Sequence, residues 1–346
     1  MPFPLRSTRP ITALFGLALA LSTTAAFGQP ATALWHSDLA GGYQTLVERS
    51  DALQQRAHSY CGAPKEHSLE TVSEAWEEAF MAWQRVRFVD FGPIEQDNIA
   101  WQLQFWPDSK NLVARKTDNW LKGDQPINAA ALTADSVAAK GFPALEYLLF
   151  DPRVRDGKQA LPHARTCELV EAISAQIHDK ATRLHSDWSR FGSHYQSRTE
   201  YEHTTVSAAM HTLEILRDKR LAAPMGLGGK GRRNPYIADA WRSGESLEAI
   251  EATLRGLQTY FLPGFLQLMQ ARQMTPLGEQ FGLRLNEALV RLDSMPDAMA
   301  PLLKTDEGYR SLQLLYIDLD RLATLLNGTI ASELGIIKGF NASDGD

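Results

Sequence analysis

The sequence predicts an all-α protein made of two helical-bundle-like domains. Apolar residues recur at steps of three and four in several segments, the spacing that places them on one face of a helix. We find no convincing run of alternating apolar and polar residues, which would indicate half-buried strands. The chain has 346 residues and 44% of them are apolar, so it is long enough for two domains and can bury their cores.

The first 28 residues have the three parts of a signal peptide. Arg6 and Arg9 form the positive region, Ile11–Leu21 is a short apolar region, and Ala26–Gly28 is a small-residue cleavage site. The apolar run is too short for a membrane span, and no later run is long enough to be one. We therefore expect an exported protein of about 318 residues, with no transmembrane segment after cleavage.

The mature chain is acidic. Loss of Arg6 and Arg9 takes the formal net charge from -6 to -8. This balance argues against nucleic acid or an anionic membrane surface as a partner.

Cys61 and Cys167 are the two cysteines. A pair of cysteines in an exported chain can form a disulfide. It would close a loop of roughly a hundred residues, for which the chain-entropy account gives about 4–5 kcal/mol. The alternative is two buried thiols, and the spacing alone does not decide between them.

The first half of the chain is predicted to contain two long helices. One carries an apolar stripe over residues 72–86, and Thr71 with Glu74 has the form of a capping box at its start. The other covers residues 161–191. Between them, residues 92–111 are too irregular and aromatic for a surface linker, so we expect them to pack over a bundle end.

The second half shows two further helical stripes, over residues 247–261 and 312–326. Ser246 is the expected N-cap of the first stripe, and Asn327-Gly328 is the expected stop of the second. Residues 224–235 form a Gly-rich, basic stretch inside this half.

We place the domain boundary near residues 191–200, after the long helix. The prediction is an N-terminal helical domain over residues 29–195 and a C-terminal helical domain over residues 196–346. Two halves of similar size are compatible with a diverged duplication, although no strong sequence repeat is visible.

The segment Gly141–Phe150, GFPALEYLLF, resembles the G-x-H-x-x-E signature of the imelysin-like family. Gly141 and Glu146 occupy their places, but Pro143 stands where the family has His. A His and a Glu three residues apart share a helix face and can ligate one metal ion. Pro143 has no such nitrogen and suits the first turn of a helix, where its missing N–H is not needed. We therefore expect no tight metal site at residues 141–146.

Other segments resemble the same family and follow one another in its order. They are Trp83-Gln84-Arg85, Phe91-Gly92-Pro93, Gln104–Asp108, Leu221–Gly226 (LAAPMG), Trp241–Ser246 (WRSGES) and the tail Gly339–Asp346. Each is short, and their order makes the match specific. The resemblance covers essentially the whole mature chain.

This resemblance implies two α-helical, bundle-like domains with a cleft between them. It also implies an exported bacterial protein, periplasmic or outer-membrane associated, with a role in iron uptake or regulation. The implied partner is an unknown small ligand or an iron-uptake component of the periplasm or outer membrane. Iron or another divalent metal is the cofactor such a family suggests, but the sequence offers no complete ligand set, so the cofactor stays open.

Six residues form the predicted ligand site: Glu146, Arg85, Gly141, Pro143, Trp106 and Asp108. Glu146 is a functional carboxylate near the cleft or, alternatively, a helix-start carboxylate favoured by the helix dipole. Arg85 is expected to pair with a buried acid such as Glu146 or to bind an anionic ligand. Its alternative role is a structural ion pair.

Trp106 and Asp108 flank a proline, and such a run can line a pocket. The alternative is a loop plug in which Asp108 caps a helix. His211 and Glu214 form a second, intact H-x-x-E pair, but they lie in the second half and do not match the family motif.

The preferred hypothesis is binding of a ligand or partner at the interdomain cleft. One alternative is a metallopeptidase of the imelysin type, using Glu146 and a remote His. Another is a non-catalytic scaffold that docks to an outer-membrane receptor. The missing motif His favours a role without catalysis, and the sequence contains no H-E-x-x-H or G-x-S-x-G motif.

Overall fold

The computed structural model describes residues 29–228 and 231–336. The predicted signal peptide, residues 1–28, and the tail motif, residues 339–346, lie outside these ranges. Within them the chain is helical and has no strand, so the all-α prediction is confirmed. None of the helices in these ranges has the length and apolar character needed to cross a bilayer.

The first half runs from α1 to α8. The α-helices are α1 Ala31–Gly62, α2 Leu69–Val86, α3 Ile99–Leu103, α4 Leu112–Lys122, α5 Ala129–Ala134, α6 Gly141–Phe150, α7 Pro152–Arg155 and α8 Ala164–Gln196. The 3-10 helices Gly92–Asn98 and Val137–Ala139 lie between them.

The second half runs from α9 to α16. The α-helices are α9 Glu200–Glu214, α10 Ala223–Met225, α11 Ser246–Gly256, α12 Leu262–Ala271, α13 Thr275–Leu292, α14 Met299–Leu302, α15 Asp306–Thr324 and α16 Ala331–Glu333. The π-helical segments Ile215–Ala222, Leu257–Phe261 and Leu325–Ile330 continue α9, α11 and α15 into the next helix, and Pro235–Ile237 is a 3-10 turn.

Helix α2 carries the predicted stripe, but its cap differs from the expected one. Ser68, not Thr71, is the N-cap, and its side chain accepts from the backbone N–H of Glu70. The predicted stop at Asn327-Gly328 is also wrong, because the helix continues through Leu325–Ile330. Leu326 and Ile330 are fully buried in this segment, so packing overrides the local stop signal.

The buried side chains of the described residues form one continuous core. Helix α1 packs against α2 and α8, and also against α12 of the second half. Helix α2 packs closely on α11, and the glycine at position 256 makes this possible. A Cβ at Gly256 would lie 1.9 Å from the carbonyl oxygen of Arg85. The division into domains at residue 195 stays a prediction.

Cys61 and Cys167 are joined by a disulfide, with their Cα atoms 5.5 Å apart. Cys61 lies near the end of α1 and Cys167 in the first turn of α8. The bond therefore connects two helices that also pack along each other.

Candidate functional site

Helix α6 begins at a point where only glycine fits. Gly141 has φ +66°, and a Cβ there would lie 2.3 Å from the carbonyl oxygen of Leu103 at the end of α3. Pro143 is the third residue of the helix. Its missing N–H is one of the first four, which have no partner within a helix. These two residues set where the second turn, and with it Glu146, meets the rest of the fold.

The Glu146 side chain is buried, at 4% exposure, and is held by backbone from the second half of the chain. Its Oε1 accepts from the backbone nitrogens of Arg242 at 2.8 Å and Ser243 at 3.0 Å, and from Ser243 Oγ at 3.3 Å. Burial raises the pKa of Glu146, while the charge of Arg242 and these N–H donors oppose the rise.

Glu146 borders a cavity of about 580 Å³, a size typical of small-molecule sites. The cavity lies between residues 105–153 and residues 219–242. Its walls include Phe105, Trp106, Pro107, Asp108, Val113, Pro143, Glu146, Arg153, Lys219, Ala223, Tyr236, Ile237, Asp239, Trp241 and Arg242. Four of the six predicted site residues therefore line one cavity: Glu146, Pro143, Trp106 and Asp108. Gly141 does not line it, but it fixes the position of the helix that carries Glu146.

Asp108 lines the cavity and also caps a helix. Its Oδ1 accepts from the backbone nitrogen of Leu112 at 2.7 Å, and its Oδ2 accepts from that of Val113 at 2.8 Å. These are the unpaired N–H groups of the first turn of α4. Both oxygens of Asp108 are thus occupied by the backbone.

Asp151 anchors the side chain of Arg242 behind the cavity. Arg242 Nε donates to Asp151 Oδ2 at 2.9 Å, and Arg153 Nη2 donates to the same oxygen at 2.8 Å. Burial alone would raise the pKa of Asp151, but the hydrogen bonds from Arg153 and Arg242 prevail and lower it to about 2. Asp151 is therefore a fixed anion at neutral pH.

Asp239 lies at the cavity floor and forms a second buried ion pair, with Arg220. Arg220 Nη2 lies 2.7 Å from Asp239 Oδ2, and the two side chains are 2% and 4% exposed. Gln104 Nε2 donates to both oxygens of Asp239, at 2.9 and 2.8 Å, and Gln104 Oε1 accepts from Trp83 Nε1 at 2.8 Å. The Arg220 guanidinium lies 5.5 Å from the ring centre of Trp106. The pair thus supports the aromatic wall.

The expected pairing of Glu146 with Arg85 is wrong. Arg85 is exposed and lines a separate depression with Glu77 and Glu245. Arg87, two residues and about 200° further round α2, faces the network instead, 3.8 Å from Asp239. Burial lowers the pKa of Arg87 to about 9. Binding of an anionic ligand by Arg85 stays a prediction.

Sequence reasoning missed the residues that hold Glu146 and the floor: Arg242, Ser243, Asp239 and Arg220. The signal was present, since Arg242 and Ser243 belong to WRSGES and Arg220 directly precedes LAAPMG. In the sequence alone, both segments only add to the family resemblance. In the structure both segments lie beside the GFPALE helix, and each contributes residues to the wall of the Glu146 cavity.

The residues around Glu146 do not fit a metal ion. No His lines the cavity within the described chain, and residues 29–228 and 231–336 contain no group of three His, Cys, Asp or Glu that could hold an ion. His211 Nδ1 instead lies 3.1 Å from Asp90, and Glu214 accepts from Asn327 Nδ2 at 2.7 Å. The H-x-x-E pair is therefore engaged in structural contacts.

The fold resembles two solved structures. One is an imelysin-like protein from Psychrobacter arcticum, with a TM-score of 0.77 and 20% identity over 90% of this chain and 97% of that one. The other is described as an iron-regulated protein A precursor from Parabacteroides distasonis, with a TM-score of 0.65 and 13% identity over 87% of this chain and 96% of that one. At these identities the likeness establishes the fold. No curated protein matches the chain.

The fold and the site define an all-α protein with a cavity closed by a buried, backbone-bound glutamate. The sequence profile of the peptidase M75 family, described as imelysin, matches residues 40–326. The chain belongs to the imelysin family.

Proposed function

We propose that this protein is an exported imelysin-family member of bacterial iron uptake or regulation, and that it binds a ligand or partner in the Glu146 cavity. The observation that carries the proposal is the cavity itself. It has the size of a ligand site and mostly apolar walls, and it contains the buried carboxylate of Glu146, one oxygen of which has no hydrogen-bond partner among the described residues.

The iron connection and the location rest on other observations. One structural neighbour is described as an iron-regulated protein precursor. The sequence begins with the pattern of a signal peptide, which favours the periplasm or the outer-membrane surface as its place of work. Membership of a family with a peptidase name does not by itself supply catalysis, and the described residues contain no group of three His, Cys, Asp or Glu side chains that could hold a metal ion.

A cavity-filling substitution tests this function. In a strain lacking the gene, wild type should restore growth under iron limitation, whereas Ala223→Trp, which places an indole in the cavity, should not. Ala271→Trp, at an exposed helix end, is the matched control and should behave as wild type. Circular dichroism confirms folding of both variants. Full complementation by Ala223→Trp overturns the cavity as the working site, and normal growth of the deletion strain overturns the iron role.

A further inference from the structure

The Glu146 carboxylate presents to the cavity an oxygen that accepts no hydrogen bond from any described residue. We propose that the ligand carries a cationic N–H group, an ammonium or amidinium, which donates to Glu146 Oε2, on an aromatic or other apolar body held between Trp106 and Trp241. This inference rests on the proposed function and adds the chemical class of its ligand.

The two oxygens of Glu146 are in different situations. Oε1 accepts all three hydrogen bonds that reach the carboxylate, from Arg242 and Ser243. Oε2 accepts none from any described residue, and it is not one of the fully enclosed unpaired polar atoms of the described chain. It therefore borders the cavity as an open acceptor on a side chain that is 4% exposed.

The other two acids in the wall have hydrogen-bond partners on both of their oxygens. Asp108 spends one oxygen on each of two backbone N–H groups of α4. Asp239 receives Gln104 on both oxygens and Arg220 on one of them. Glu146 Oε2 is thus the carboxylate oxygen of the wall that has no hydrogen-bond partner among the described residues.

The cations of the wall do not form an anion site in the interior. Arg153 and Arg242 both donate to Asp151, which balances one of their two positive charges, and the Arg153 side chain is 58% exposed, so its charge is hydrated at the rim. Lys219 is exposed, and its ammonium remains hydrated at the rim. A ligand cation, in contrast, supplies in the interior the hydrogen bond that Glu146 Oε2 lacks.

The walls of the cavity suit an organic cation with an apolar body better than a metal ion or a small inorganic cation. They are mainly apolar, with indole rings at Trp106 and Trp241, and aromatic faces attract cations within about 6 Å. Both rings already lie near guanidinium groups, Arg220 at 5.5 Å and Arg242 at 4.3 Å. Those guanidinium groups are paired with Asp239 and Asp151, so they do not leave a net positive wall.

The inference predicts a preference within three indoles of similar shape. Tryptamine is cationic, tryptophol neutral and indole-3-propionate anionic, and each fits a cavity of about 580 Å³. Isothermal titration of the mature, disulfide-intact protein at pH 7.5 should show tryptamine binding at least about tenfold more tightly than tryptophol, since hydrogen bonds between charged groups exceed neutral ones. Indole-3-propionate should bind most weakly.

Glu146→Gln is a sharp variant for this test. Its Oε1 can still accept from the Arg242 and Ser243 backbone, while an amide NH₂ donor replaces the free Oε2. The tryptamine preference should fall to about one. Glu66→Gln, in an exposed turn, removes the same charge elsewhere and should leave the preference unchanged.

In wild type, tryptamine binding should strengthen as pH rises above 5, because a cation binds the ionised form of Glu146. Burial and the charge of Asp239 raise the pKa of Glu146, Arg242 and the backbone N–H groups oppose the rise, and ionisation of the neighbouring Glu245 up to about pH 7 adds to the attraction for a cation.

The outcomes separate this inference from the proposed function. Equal binding of all three indoles, or a preference for indole-3-propionate, overturns the cationic class and leaves the cavity as a ligand site. A tryptamine preference that survives in Glu146→Gln overturns the role of Oε2. If no indole binds and Ala223→Trp fails to complement, only this inference is overturned. If no indole binds and Ala223→Trp complements fully, the proposed function is overturned with it.

Discussion

Glu146 Oε1 lies 2.8 Å from the backbone nitrogen of Arg242, a residue 96 positions later in the chain. This contact joins the motif helix α6 to the WRSGES turn, and Ser243 adds a second backbone donor at 3.0 Å. The backbone N–H groups of the WRSGES turn thus satisfy the buried carboxylate in place of a partner side chain. This arrangement explains how Glu146 can be buried beside Pro143, which has no ligand nitrogen to offer.

Removing the Glu146 carboxylate should destabilise the fold more than neutralising its charge. Glu146→Ala leaves the N–H groups of Arg242 and Ser243 without their acceptor, so we expect a loss of about 1–3 kcal/mol in the free energy of unfolding. Glu146→Gln keeps an acceptor and should lose less. Urea denaturation measures both. An Ala variant as stable as wild type would show that these contacts do not hold the turn.

The Arg220–Asp239 pair should be costly to break. Asp239→Ala leaves a guanidinium that is 2% exposed without its counter-ion, which predicts a loss of about 3–5 kcal/mol. Asp320→Ala, which removes the half-exposed partner of Arg217, is the control and should cost less than about 1 kcal/mol. Similar losses in the two variants, measured by chemical denaturation, would contradict a buried network at the cavity floor.

Gly141 should not tolerate a side chain. Gly141→Ala combines a left-handed backbone with a Cβ placed 2.3 Å from the Leu103 carbonyl oxygen, and we expect a loss of more than about 2 kcal/mol. Gly41→Ala, inside α1 with no atom within 4 Å of the new Cβ, should instead gain up to about 1 kcal/mol. Thermal unfolding of the pair checks the prediction, which fails if the two variants shift in the same direction.

Glu245 should make stability fall as pH rises. Burial, followed by repulsion from Glu77, Asp297, Glu248 and Glu146, raises the pKa of Glu245 from 4.5 to about 7. Between these two pH values the folded protein holds a proton on Glu245 that the unfolded chain has lost. The contribution of Glu245 to the free energy of unfolding is therefore full below pH 4.5 and declines as the pH rises to 7. One proton gives at most about 1.4 kcal/mol per pH unit, and solvent screening reduces it here.

The contribution of Glu245 is measured by difference. Glu245→Gln should gain stability relative to wild type as pH is raised from 4.5 to 7 in a series of urea titrations, and the gap should then level off. A gap that is constant or narrows over this range contradicts the raised pKa.

The disulfide should form on export and stabilise the protein. Thiol labelling of unfolded, unreduced protein from the periplasm should find no reactive cysteine, since Cys61 and Cys167 are bonded. Reduction should lower the free energy of unfolding by up to about 4–5 kcal/mol for a loop of this length. Two labelled thiols in the unreduced sample would contradict the bond.

Much of the fold could be predicted from local pattern. The stripe of residues 72–86 became α2, and residues 161–191 became most of α8, because helical periodicity is a local property of the sequence. The stop at Asn327-Gly328 failed because burial of Leu326 and Ile330 outweighs a weak local signal.

The site could be predicted only in part. Glu146, Pro143, Trp106 and Asp108 carry a motif, and they do line one cavity. The partner of Glu146 could not be found in the same way, since nothing near residue 146 encodes a contact with residue 242. The motif pointed to Arg85, and it could not point to Arg87, because a difference of two residues places a side chain on the opposite side of a helix.

Hydrogen exchange with a periplasmic small-molecule extract tests the central claim, that the Glu146 cavity is the binding site. The extract should slow exchange in residues 105–113 and 236–243 of wild type and of Ala271→Trp, and should have no effect there in Ala223→Trp. Protection that maps to another surface, or that persists in Ala223→Trp, would contradict the account.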